Sequence, residues 1–96
     1  MSADDLIQFP HLEELQFFDN NLVTLDGNLF MNNPTLRLIN FNNNFLQEIG
    51  NELIDGSNQL ELASFITNHC IDLIATNELN FVELRKRFVD DCSTAP

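Results

Sequence analysis

Apolar and polar positions in this chain follow a phrase that is used more than once. Its first copy reads Leu12-x-x-Leu15-x-Phe17-x-x-Asn20-x-Leu22-x-x-Leu25. A step of 24 residues brings Leu36, Ile39, Phe41, Asn44, Leu46 and Ile49 into the same slots. A second step brings Leu60, Ala63, Phe65, Asn68, Cys70 and Leu73. The match also runs backwards, from Pro34 to Pro10 and from Phe30 to Leu6. A fixed period of 20 to 50 residues is the mark of stacked units that bury one shared core.

The spacing inside the phrase predicts its local structure. Leu15-x-Phe17 and Ile39-x-Phe41 alternate with the two-residue period of a strand that has one buried face. The asparagine that follows, at Asn20, Asn44 and Asn68, is expected to end each strand. Its amide can bond neighbouring backbone, forming a ladder that satisfies groups a tight bend leaves unpaired. Leu22 and Leu25, then Leu46 and Ile49, fill the core on the return path, and Leu29, Phe30, Leu53 and Ile54 cover the far wall. One such unit cannot close its own core, so neighbours must bury it jointly.

The stretch LEELQFFDNNLVTLDGNLFMNNPTLRLINFNNNFLQEI resembles the leucine-rich repeat family in its typical extracellular form, with Phe30-x-x-x-Pro34-x-Leu36 as the signature between strands. The resemblance implies an α/β solenoid with short parallel strands on a concave face and a helix closing the C-terminal end. It implies no chemistry, because fold does not fix function. Residues 1–79 would be repeats, with a partial coil at 4–11 and repeats starting at 12, 36 and 60. Within the third, Leu62, Phe65, Ile66, Cys70, Leu73 and Ile74 also fit a helix, but the register favours a strand. Asn80, with Glu83 three residues on, predicts a capped helix over 80–92. Phe81, Leu84 and Phe88 would line its inner face, and Arg85, Lys86 and Arg87 would sit near its C-terminal end. Residues 93–96 read as a tail.

Cys70 stands in the slot of Leu22 and Leu46, and Cys92 lies at the end of the helix. Secreted members of the family often end in this way, which implies a Cys70–Cys92 disulfide and an oxidising compartment. The residues alone also allow a buried thiol and an unrelated surface thiol. The segment Met1-Ser2-Ala3-Asp4-Asp5 is not a secretory leader. An extracellular location therefore assumes a signal peptide outside this sequence, and the pre-echo at residues 6–10 suggests a fragment of a longer array. The alternative is a cytoplasmic protein.

Charge narrows the partners. Fifteen acidic residues against four basic ones give a formal net charge of -11, which disfavours nucleic acid and anionic membrane. A protein partner, in particular a basic one, is compatible with it. No apolar run is long enough for a transmembrane helix. His11 and His69 have no metal-ligand spacing, Glu13 and Glu14 make a poor acid–base pair, and Cys70 has no activating histidine. The reading is therefore of no enzyme, no cofactor and no metal.

By the resemblance, the outward strand positions meet ligands. They form the rows Glu14/Leu38/Leu62, Gln16/Asn40/Ser64 and Phe18/Asn42/Ile66, followed by Asp19/Asn43/Thr67. The expected function is protein binding on this face. The alternatives are a structural cap for a longer array whose ligand site lies upstream, or an inhibitor of an enzyme.

Overall fold

The computed structural model describes residues 1–93, so the last three residues of the expected tail lie outside the description. It is a mixed α/β structure with mainly parallel strands. Three strands occupy equivalent places in the phrase: β1 (Glu14–Gln16), β3 (Leu38–Asn40) and β5 (Leu62–Ser64). They pair parallel and in step, Leu15 beside Ile39 and Ile39 beside Ala63. On the return path β2 (Thr24–Leu25) pairs parallel with β4 (Glu48–Ile49). Met1 continues this second sheet, its carbonyl accepting from Asp26 N and its amino group donating to Thr24 O.

The core is a column of side chains from like positions. Phe41 stacks on Phe65 with ring centroids 5.6 Å apart, and Phe88 meets Phe65 edge-on at 5.5 Å. Leu36, Ile39, Phe41 and Leu46, in the middle segment, are fully buried. Their counterparts Leu12, Leu15, Phe17 and Leu22 are only partly covered, because among the described residues no strand pairs with the outer edge of β1. Burial thus depends on having a neighbour on each side. The two return turns touch so closely that a Cβ at Gly50 would overlap the Gly27 backbone.

Asparagine ties these segments together. Asn44 accepts from Leu22 N and donates to the Phe17 and Phe41 carbonyls at 2.9 and 3.0 Å. Asn68 repeats the pattern with Leu46 N and the Phe41 and Phe65 carbonyls. Asn20, in the first of these segments, donates to its neighbour Phe18 O. The backbone itself repeats, since Asp19, Asn43 and Thr67 all have φ between 56° and 60°. Aspartate and asparagine tolerate that left-handed region, whereas a β-branched threonine is strained in it.

Several expectations need correction at the C-terminal end. The last strand, β6 (Ile74–Ala75), runs antiparallel to β5, with Ala63 opposite Ala75 and Ser64 opposite Ile74. Beyond it the polar pair Asn77-Glu78 stands where earlier segments carry apolar residues, and the chain leaves the pattern for the helix α1. That helix spans Glu78–Asp91 rather than 80–92. Its cap is Asn77, whose Oδ1 accepts from Asn80 N at 2.9 Å, while the Asn80 side chain accepts from Thr76. Because it runs on to Asp91, its last turn holds no basic residue. Leu84 and Phe88 are buried against the last segment. Cys70 and Cys92 form a disulfide with Cα atoms 5.2 Å apart. Cys92 O also accepts from Ile49 N, in the direction a further strand beside β4 would take.

Candidate site on the strand wall

Side chains that alternate with the buried ones project from β1, β3 and β5 onto one wall. Glu14, Gln16 and Phe18 are exposed there, and Leu38, Leu62 and Ile66 are half-buried. Phe18 keeps 47% of its surface in solvent. Accessible apolar side chains on a polar wall are candidate contact points for a partner.

The middle of the wall is less free than the sequence suggests. Asn42 Oδ1 accepts from Ser64 Oγ and from Ile66 N, both at 2.7 Å, and Asn40 Oδ1 accepts from Asn42 N. Asn40 and Asn42 therefore spend acceptor capacity on holding the wall together. Ser64, expected to face outward, is buried. The physical reason is the antiparallel return of β6, which sets Ile74 directly opposite it. In the last row Asn43 Nδ2 donates to Asp19 Oδ1 at 2.8 Å, and Thr67 N donates to the Asp72 carboxylate.

One feature of the wall escaped the sequence reading. Arg37 lies between Glu13 and Glu61, bonding the first through Nη1 at 3.2 Å and the second through Nε at 2.6 Å. The Glu61 hydrogen bond, followed by that of Glu13, raises the arginine pKa above its ordinary value. The three residues are one step of 24 apart, so the alternation of sign along the period was the signal that could have revealed them. Beside this triad is a depression of about 290 Å³, lined by Glu14, Arg37, Leu38, Glu61, Leu62 and Thr76.

Other surfaces offer less chemistry. A more open groove of about 570 Å³ on the opposite wall follows the turns after β2 and β4, with Asp26, Glu48 and Glu52 along it. His69 packs edge-on against the Phe45 ring at 5.4 Å, and Gln47 reaches its Nδ1. Among the described residues, no group of three or more His, Cys, Asp or Glu side chains is placed to hold a metal ion. No helix among them is long and apolar enough to cross a membrane. The outer face of α1 leaves Leu79 81%, Val82 60% and Val89 50% exposed, a stripe that the inward pattern of Phe81, Leu84 and Phe88 had hidden. Comparison of the chain with models of known families, with curated proteins and with solved structures finds no match.

Proposed function

We propose that the chain is a solenoid segment of the leucine-rich repeat type that binds a protein partner on its strand wall. Recognition would rest on shape and charge, with no bond made or broken. The observation that carries this reading is the group Phe18, Leu38, Leu62 and Ile66, apolar and accessible on a wall whose other side chains are polar. The constant step of 24 between paired strands, the like hydrogen bonds of Asn44 and Asn68, and the recurring left-handed residue support the solenoid. The Cys70–Cys92 bridge supports an oxidising, extracellular setting. The test is to pan a displayed library of random dodecapeptides on the full chain and to re-measure the selected binders on the Phe18→Asp, Leu38→Asp double variant. Loss of binding with an unchanged melting temperature is the expected result. Binders indifferent to both substitutions would sink the reading.

A second reading is favoured by the way Phe88 and the disulfide close the last segment. In it the chain seals the end of a longer array, and its strand wall has no ligand of its own. That reading expects no selected binder to respond to the wall substitutions.

A further inference from the structure

The depression beside the arginine triad is more selective than the wall around it. Its floor is Leu38 and Leu62, register neighbours on β3 and β5. Glu14, the register partner of Leu38, bounds it on the β1 side. The Arg37 charge is already taken up by Glu13 and Glu61. The Glu14 carboxylate, by contrast, accepts no side-chain hydrogen bond and joins no ion pair among the described residues. Among the described residues the wall carries Glu13, Glu14, Asp19 and Glu61 against the one cation of Arg37, on a chain of net charge -11.

These features select one kind of occupant. A purely aliphatic side chain would cover the leucines but strip water from an unpaired carboxylate, which is costly. An acidic side chain would meet further carboxylates. A long side chain that is apolar along its stem and cationic at its tip satisfies both parts of the depression. Taking the strand wall as the binding face, we infer that this depression receives one lysine or arginine side chain of a polypeptide partner. Its methylenes lie on Leu38 and Leu62, and its cation meets the Glu14 carboxylate. Phe18 and Ile66 then contact the partner's apolar residues farther along the wall.

The selected dodecapeptides test this directly. Those that bind the wall are expected to carry a Lys or Arg next to apolar residues. Replacing that residue by norleucine, which keeps the stem and removes the charge, should weaken binding about threefold to fivefold, as should Glu14→Gln. The Glu14→Gln effect should shrink in high salt, and Glu14→Lys should remove binding. Binders that lose affinity with Leu38→Asp but contain no Lys or Arg, or that ignore Glu14→Gln, overturn the cation pocket and leave the binding wall standing. Binders that ignore Leu38→Asp and Phe18→Asp as well, or a library from which nothing is enriched, overturn both.

Discussion

Asn44 offers the sharpest test of what holds the segments together. Its side chain is almost wholly buried, at 3% exposure, and joins two successive segments through Leu22 N and the Phe17 and Phe41 carbonyls. Asn44→Ala removes these three bonds and a longer one to Asn42 O at 3.4 Å, and leaves one backbone donor and three acceptors to find new partners. At about 1 kcal/mol for each bond, and more where water cannot enter, the expected loss is roughly 2–4 kcal/mol. For a chain of this size each kcal/mol moves the melting temperature by about 4–8 °C, so the variant should melt roughly 10–25 °C lower. Asn20 supplies the internal control. It holds the same slot but makes a single exposed bond to Phe18 O, and Asn20→Ala should cost less than about 0.5 kcal/mol. The assay is urea unfolding followed by circular dichroism, comparing midpoints at constant m. If Asn44→Ala costs less than about 1 kcal/mol, or if Asn20→Ala costs as much, the amides are not what joins the segments.

Two further outcomes follow from the C-terminal half. Thr67→Asn gives the left-handed position at φ 60° the residue that Asn43 already places at φ 56°, and should raise stability by about 0.5–1 kcal/mol in the same urea assay; a loss would show that the threonine methyl contributes more than the backbone strain costs. Opening the Cys70–Cys92 bridge, by reduction or by the double alanine variant, frees a loop of 22 residues and should cost roughly 3 kcal/mol. Amide exchange should rise first in α1, and a uniform rise across all strands would contradict the staple.

How much of this was legible in the sequence depended on whether a feature repeats. The strands at Leu15, Ile39 and Ala63 were readable because a step of 24 keeps the same face inward each time, and a slip would expose the core. The stapled end was legible through the family resemblance, with Cys70 in a leucine slot and Cys92 after the helix; the slot by itself also fits a buried free thiol. Features that occur once were not. Asn77 and Asn80 are both acceptable caps, and the structure uses the earlier one, so that the helix starts at Glu78. Ser64 was lost from the wall because β6 doubles back over it, an event at the end of the pattern that no period announces. The alternation Glu13, Arg37, Glu61 did repeat, and was missed because attention to apolar slots passes over charged ones.

The disulfide and the hydrogen bond from Ile49 to Cys92 lace the rear of the molecule to its middle, while at the front no strand pairs with the outer edge of β1 among the described residues, and the first segment is held by Met1 and by Asn33 and Thr35, which donate to the Leu6, Phe9 and Leu12 carbonyls. The two ends therefore differ in how readily they come apart. Fraying would begin at the front and travel rearward, and the bridge would mark the place where it halts.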